Sequence, residues 1–215
     1  ARDCGVERVI HTSTSEVYGS ARYVPINEEH PLQGQSPYSA SKISADKLAE
    51  AFHLSFGLPV VTIRPFNAFG PRQSARAVIP TIIAQCLAGK TVKLGSLTPT
   101  RDFNYVSNTV EAFLKSAESR SAVGKTINVG SGSEISIGEL VKKIGALLGR
   151  DIKIEKEKQR SRPPKSEVDR LLADNTLAQK ILKWQPRVGL DEGLQKTADW
   201  IRKNIEGYRT NEYGT

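Results

Sequence analysis

Short apolar runs and longer helical patterns alternate along almost the whole chain. Strands are predicted at 6–12, 59–64, 91–94, 126–129 and 151–155, and helices at 37–56, 78–88, 106–119, 137–148, 176–184 and 190–205. Strands separated by helices favour parallel pairing, because each helical crossover returns the chain to the same edge of the sheet. The alternation therefore predicts an α/β protein built on a mainly parallel, doubly wound sheet.

The composition fits a folded protein and argues against several classes. The chain has 215 residues, of which 38% are hydrophobic and 25% are charged, which is enough to bury a core. No apolar run reaches the ~20 residues of a membrane helix and no leader pattern is found, so we expect a cytoplasmic protein without a membrane partner. Cys4 and Cys86 lie far apart and lack zinc-site spacing, so we expect two buried thiols, no disulfide framework and no metal.

The net charge is +8, and much of the excess lies between Lys153 and Arg170. Charges alternate in sign over 152–158, which is typical of a solvated face. The following Arg160-Ser161-Arg162-Pro163-Pro164 predicts a loop, because consecutive prolines exclude a helix interior. Arginines beside a rigid turn suit a diphosphate group. Aromatic residues do not alternate with these charges, so nucleic acid is not an expected partner.

Two neighbouring segments carry groups that can move protons. Thr14, Ser15 and Glu16 follow the first predicted strand, and Tyr38 and Lys42 lie four residues apart on the next helix. Residues at that spacing share one helix face, so the ammonium can stabilise the phenolate and make the tyrosine a useful base. A hydroxyl, a carboxylate and a phenol-ammonium pair together predict a proton-transfer site.

The same helix face carries apolar residues beyond Lys42. They recur at helical spacing: Ala45, Ala49, Phe52 and Phe56. This stripe predicts that Tyr38 and Lys42 open the buried face of a long helix. An ordinary surface tyrosine and lysine at the start of an amphipathic helix is the alternative interpretation.

Residues 1–12 resemble the middle of a doubly wound domain rather than its beginning. Residues 1–5 predict a helix end and a turn that lead directly into a central strand. No Gly-x-Gly-x-x-Gly turn joins a strand to a helix, and the chain contains no methionine. We therefore expect a further segment before residue 1.

Five segments occur in the order of a known family. They are Thr14-Ser15-Glu16-Val17-Tyr18-Gly19, Ser36-Pro37-Tyr38-Ser39-Ala40-Ser41-Lys42, Arg64-Pro65-Phe66-Asn67-Ala68-Phe69-Gly70-Pro71-Arg72, Arg101-Asp102-Phe103-Asn104-Tyr105-Val106 and Asn128-Val129-Gly130. This series resembles the extended short-chain dehydrogenase/reductase family. Within it, the chain is most similar to nucleotide-sugar 4,6-dehydratases, particularly the N-acetylglucosamine 4,6-dehydratases of the legionaminic acid pathway.

The resemblance implies NAD as cofactor and a nucleotide sugar as substrate. It assigns 1–75, with returns at about 91–130, to the remaining part of a Rossmann-like NAD-binding domain. It assigns 76–90 and 131–207 to a smaller α/β substrate domain, and 208–215 to a tail. It also implies a preceding segment of roughly a hundred residues with the glycine-rich turn. A homodimer is expected, formed through the helix of Tyr38 and the helix after Ala77. The 215 residues alone are expected to be inactive.

The resemblance also implies roles for the proton-transfer residues. Tyr38 would take the proton of the sugar 4-hydroxyl as hydride moves to NAD, Lys42 would bind the nicotinamide ribose, and Thr14 would align the 4-hydroxyl. Glu16 would remove the C5 proton while the 6-hydroxyl leaves. Ser15 stands where many dehydratases have an acidic residue, so the general acid stays open between Ser15, a water molecule and Glu16.

Substrate contacts follow in the same way. Asn67 resembles the family asparagine at the sugar diphosphate, and Arg101 and Arg162 resemble the phosphate-binding arginines, with Arg160 as an alternative to Arg162. Three other functions stay open. They are glucuronate decarboxylation on a nucleotide carrier, 4-epimerisation, which Glu16 disfavours, and nucleotide-sugar binding by a truncated or non-catalytic protein.

Overall fold

The computed structural model describes residues 1–157, 163 and 166–208. Its helices are α1 Pro37–Phe56, α2 Val78–Ala88, α3 Val106–Glu118, α4 Ile137–Leu147, α5 Thr176–Leu182 and α6 Leu190–Lys203. Its strands are β1 Val9–Thr12, β2 Val60–Pro65, β3 Ala68–Phe69, β4 Thr91–Leu94, β5 Thr100–Arg101, β6 Asn104–Tyr105, β7 Thr126–Val129, β8 Ile135–Ser136 and β9 Lys153–Lys156. The α/β prediction is confirmed, and α1, α2, β4 and β7 have the predicted bounds.

The first part of the chain is built on a parallel sheet with the strand order β1-β2-β7. Val61 and Ile63 of β2 pack with Ala112 of α3 and Ala178 of α5 on one face. Successive strand residues point to opposite faces, so Arg64 lies on the other face, where it bonds to α1. The segments that follow β1 and β2 carry Glu16 and Asn67, at the carboxyl edge where such sheets bind ligands.

The second part of the chain has its own core. Its parallel pair β4–β9 packs with α2, α4 and α6, and the buried residues include Val92, Leu140 and Leu194. The resemblance assigns about 91–130 to returns of the NAD-binding domain, and this division stays a prediction. β7 pairs with β2 in the first sheet, whereas β4 pairs with β9, and Val92 and Leu94 are buried in the core of the second part.

The predicted buried face of α1 is wrong. Tyr38 is 52% exposed and Phe56 53% exposed, while the buried residues of the helix are Ser39 and Asp46. The reason is a polar contact: Asp46 forms an ion pair with Arg64 of β2, and this pair sets which face of α1 meets the sheet. Three residues of the apolar stripe line an open cleft beside β1: Ala45, Ala49 and Phe52.

Two smaller expectations also differ from the structure. Cys4 is exposed, whereas Cys86 is buried as predicted. Tyr208 was assigned to the tail, but it is 8% exposed and donates to the Gln73 carbonyl over 3.2 Å; the rest of the predicted tail lies outside the described residues. Most of α2 is buried within the chain, and the dimer through α1 and α2 stays a prediction. No described helix has the length and apolarity to cross a membrane.

Candidate active site

The start of α1 holds Tyr38 in a well-defined turn. Ser36 caps the helix: its hydroxyl accepts from the Ser39 N–H over 3.1 Å, and its own N–H donates to the Ser39 hydroxyl over 3.0 Å. Pro37 at the first helical position favours helical geometry without losing a hydrogen bond. The Tyr38 side chain is therefore presented to solvent by a reciprocally capped first turn.

Lys42 is anchored at the end of β1. Its ammonium donates to the Thr12 carbonyl over 3.0 Å. Because Tyr38 lies four residues earlier on the same helix, the ammonium and the phenol share one side of α1. The structure thus brings the predicted cation to the carboxyl end of the first strand.

A tight turn after β1 presents Glu16. The Thr14 hydroxyl caps this 3-10 turn, Ser15–Tyr18, by accepting from the Glu16 N–H over 3.2 Å. Gly19 ends the turn at a φ of 63°, a backbone angle that favours glycine. A Cβ atom at this position would also lie only 2.7 Å from Gln35 Oε1. Ser15 is buried, whereas Glu16 lines a cleft of about 370 Å³ between the two parts of the chain.

The cleft brings together three of the predicted residues. Asn67, which follows β2, and Arg101 of β5 line it together with Glu16. Within the described part of the chain, Asn67 Oδ1 is buried without a hydrogen-bond partner. Tyr38, Lys42, Thr14 and Ser15 are not among the described residues that line this cleft. Arg162 and its alternative Arg160 lie outside the described residues.

Arg101 bonds to oxygen acceptors within the described part of the chain. Its guanidinium donates to the Thr100 carbonyl over 2.9 Å and to the Glu167 carboxylate over 3.2 Å. The next residue, Asp102, is fully buried and accepts from the backbone N–H groups of Ser131, Gly132 and Ala173. Burial raises the pKa of Asp102 while these donors act to lower it. The segment that carries Arg101 is thereby tied to the loop after β7.

Glu167 and Gln73 are among the cleft residues that the sequence did not predict. Glu167 pairs with Arg101 across 66 positions in the chain, which no local pattern reveals. Gln73 lines the same cleft, and its amide donates to the Ala68 carbonyl over 2.9 Å. Its position just after Gly70-Pro71-Arg72, in a segment that already carried Asn67, was the available indication.

Comparison with known proteins identifies the family. The family model described as GDP-mannose 4,6 dehydratase matches residues 1–197. The chain belongs to the NAD-dependent epimerase/dehydratase family of short-chain dehydrogenases/reductases. The predicted family is therefore confirmed, while the legionaminic subtype stays a prediction.

Individual relatives differ in the reaction that their names give. The UDP-glucose 4-epimerase of Mycolicibacterium smegmatis is 34% identical and aligns with 96% of this chain and 66% of its own length. The dTDP-glucose 4,6-dehydratase of Xanthomonas campestris pv. campestris is also 34% identical, with 96% and 62% covered. This chain thus spans less than two thirds of the length of these relatives. Because the chain is equally identical to an epimerase and to a dehydratase, overall identity does not distinguish the two reactions. The distinction has to come from individual site residues.

A solved structure supports the same fold. The dTDP-glucose 4,6-dehydratase DesIV from Streptomyces venezuelae, solved with NAD and TYD bound, superposes with a TM-score of 0.87 at 32% identity. The match covers 96% of this chain and 63% of DesIV. The parallel sheet and the second part of the chain therefore have the same fold as the matching part of DesIV.

Proposed function

We propose that this chain carries the proton-transfer and substrate-binding residues of an NAD-dependent nucleotide-sugar 4,6-dehydratase. The proposal depends chiefly on Glu16, whose side chain lines the same cleft as Asn67 and Arg101. Loss of water across C5 and C6 of a hexose needs a base at C5, and a carboxylate can supply it. Inversion at C4 does not need that base, so Glu16 favours a dehydratase over a 4-epimerase.

Tyr38 is the proposed base for the sugar 4-hydroxyl. Its side chain is half exposed, and Lys42 brings a positive charge to the same side of α1 at the end of β1. Thr14 begins the neighbouring turn and would align the 4-hydroxyl with the phenol. These three residues would remove the hydroxyl proton as C4 is oxidised.

The residues present fit the nicotinamide-ribose end of NAD. Lys42 lies at the carboxyl edge of the parallel sheet, and the Tyr38 side chain beside it is accessible. When bound, NAD would accept hydride from C4 and later return hydride to C6. Lys42 would hold the ribose hydroxyls, while Tyr38 holds the proton taken from the sugar oxygen. NAD in the related DesIV structure supports this choice of cofactor.

Glu16 would act on the oxidised sugar. A ketone at C4 acidifies the C5 hydrogen, so the Glu16 carboxylate can take that proton while the C6 hydroxyl leaves. Ser15 is 2% exposed and is not among the described cleft-lining residues, which argues against it as the general acid. In our proposal, Glu16 passes the C5 proton to the departing hydroxyl, which leaves as water, and an unsaturated ketone remains. Hydride would then add at C6 while a proton from solvent returns to C5, which balances the proton that Tyr38 took from the 4-hydroxyl.

The other cleft residues suit a sugar diphosphate. The Arg101 guanidinium provides a planar set of donors for phosphate oxygens. Rotation of the Asn67 amide would turn its partnerless Oδ1 toward the cleft, where a substrate hydroxyl or N–H could donate to it. Arg162 stays a predicted second phosphate ligand. The nucleotide and the sugar, including an N-acetylated hexose, are left for measurement.

We also propose a homodimer that forms through α1. Leu48, Leu54 and Phe56 are 61%, 76% and 53% exposed on this helix, an unusual set of large apolar side chains to leave in water. Sedimentation of the full-length gene product tests the assignment: Leu54→Lys should shift a dimer to a monomer. An unchanged sedimentation coefficient would exclude Leu54 from the interface.

Product analysis of the full-length gene product tests the proposed function. NAD should be supplied with UDP-N-acetylglucosamine, GDP-mannose, dTDP-glucose and UDP-glucuronate in separate reactions. We expect mass spectrometry to show the loss of one water from a hexose substrate.

Release of carbon dioxide from UDP-glucuronate would indicate the decarboxylase alternative. A product of unchanged mass with inverted C4 would indicate the epimerase alternative, which the 34% identity to a UDP-glucose 4-epimerase keeps open. Binding without turnover would indicate a binding protein.

A further inference from the structure

Arg64 is a buried cation between two elements that carry proposed catalytic groups. It lies near the end of β2 and is 5% exposed. Its Nε and Nη2 donate to Asp46 Oδ2 over 3.1 and 3.0 Å, and its Nη1 donates to the Tyr18 hydroxyl over 2.9 Å. One rigid guanidinium therefore bonds to α1 on one side and to the Ser15–Tyr18 turn on the other.

Both ends of this bridge lie close in sequence to proposed catalytic residues. Asp46 is one helical turn beyond Lys42 on α1, and Tyr18 is two residues beyond Glu16 in the short turn. α1 also packs directly against that turn. The bridge thus joins the helix that carries Tyr38 and Lys42 to the turn that carries Glu16. The distance between these two elements decides whether the phenol and the carboxylate can act on the same sugar ring.

Further contacts fix both ends of the bridge. Asp46 Oδ1 lies 2.8 Å from His11 Nε2 on β1, so both carboxylate oxygens have partners. The Tyr18 hydroxyl, which accepts from Arg64, donates to Asn128 Oδ1 over 2.7 Å on β7. Burial raises the pKa of Tyr18 to about 12, so this hydroxyl keeps its proton and its donor direction. The network spans all three strands of the first sheet.

Stability alone does not explain a buried polar cluster of this kind. Desolvation of two charges offsets most of their attraction, and apolar residues of similar volume often stabilise a protein equally well. A planar guanidinium provides hydrogen bonds with fixed directions, which apolar side chains cannot provide. Residues that support catalytic groups from behind in this way keep those groups at fixed positions.

We propose that Arg64 is a positioning residue that sets the spacing between Glu16 and the Tyr38–Lys42 pair, acting through Tyr18 and Asp46. The proposal rests on the proposed function, because it assigns both groups to one substrate. Arg64 touches neither substrate nor NAD in this role. Displacement of a reacting group by about 1 Å costs on the order of a hundredfold in rate, so modest loosening of the bridge should be measurable.

Single-turnover kinetics of the full-length gene product with NAD separate positioning from general damage. Tyr18→Phe cuts only the connection to the turn and keeps the Arg64–Asp46 pair. C4 oxidation should continue at a similar rate, while water loss slows about tenfold or more, so NADH accumulates and KM is unchanged. Ile63→Val, on the opposite face of the same strand, is the matched control and should not change the ratio of the two rates. An unchanged ratio in Tyr18→Phe would overturn the proposal.

Amide hydrogen exchange on the full-length gene product provides a test that does not depend on turnover. Tyr18→Phe should increase exchange in the Ser15–Gly19 turn only, and Asp46→Asn in the first turns of α1 only. Arg64→Met should increase exchange in both, and Arg64→Lys should restore part of the protection. Faster exchange at only one end in Arg64→Met, or a uniform change like that of Ile63→Val, would contradict the bridge. If the bridge pattern appears in a protein without dehydratase activity, the proposed function fails and the structural connection stands.

Discussion

The Lys42 ammonium lies 3.0 Å from the Thr12 carbonyl oxygen, which connects the beginning of α1 to the carboxyl end of β1. Two residues further on, Thr14 caps the turn that presents Glu16 to the cleft. The proposed phenol-ammonium pair therefore lies on a helix that contacts the end of β1, and the proposed carboxylate lies in the turn that follows β1. This arrangement leads to specific expectations for variants of the cleft residues.

Asn67→Ala should weaken ligand binding without destabilising the protein. Asn67 Oδ1 is buried without a partner among the described residues, so its removal costs the folded protein little. The lost hydrogen bond to substrate should weaken nucleoside diphosphate binding about tenfold, as measured by calorimetry. Asn108→Ala is the contrasting variant: its amide bonds to Asn104 and to Val188, so its melting temperature should fall. A large loss of stability in Asn67→Ala would contradict the assignment.

Arg101→Gln should weaken nucleoside diphosphate binding about tenfold to a hundredfold, because a charged donor to phosphate is lost. The effect should shrink as salt concentration rises, since salt screens the attraction. Arg170→Gln is the matched control. Arg170 pairs with Glu134 and is not among the described residues that line the cleft, so affinity should not change. Equal losses of affinity in both variants would indicate a general charge effect instead of a phosphate site at Arg101.

Glu134 should make stability depend on acid pH. Hydrogen bonds from Arg170 and then Thr100 hold the pKa of this carboxyl below its ordinary value of 4.5. A folded-state pKa below the unfolded one adds stability above the unfolded value, and that stability is lost as pH falls through the folded value. Thermal unfolding of Glu134→Gln should therefore show a smaller loss of stability on acidification than the parent. Glu118→Gln, at an exposed position of α3, should show the same dependence of stability on pH as the parent protein. If stability also depends on pH in Glu134→Gln as it does in the parent, Glu134 is not the cause of the loss in acid.

The elements that could be predicted from the sequence are those with local causes. Ser36 and Pro37 mark the start of α1, and the apolar run at 126–129 forms β7, whose last three residues are buried. The site segments were also recognisable: Glu16 and Asn67 follow strands of the parallel sheet, and Arg101 lies in a segment that resembles the family. The structure brings these three residues to one cleft, while their roles stay predictions.

The features that could not be predicted have causes that lie far apart in the chain. The orientation of α1 depends on the pairing of Asp46 with Arg64, 18 positions away, and an apolar stripe cannot reveal such a polar contact. β4 pairs with β9 across more than fifty residues, and neither strand has a local pattern that names its partner. The contact of Glu167 with Arg101 belongs to the same class.

The most direct measurement compares Glu16→Gln with Tyr38→Phe in the full-length gene product, with NAD and the preferred nucleotide sugar in single turnover. Tyr38→Phe should abolish oxidation at C4, so no NADH forms. Glu16→Gln should still oxidise C4, and water loss should slow on the order of a hundredfold to ten-thousandfold, so NADH and a 4-keto sugar accumulate. Ser15→Ala should retain dehydration. Equal loss of oxidation and water loss in Glu16→Gln would contradict the proposed division of roles between the carboxylate and the phenol.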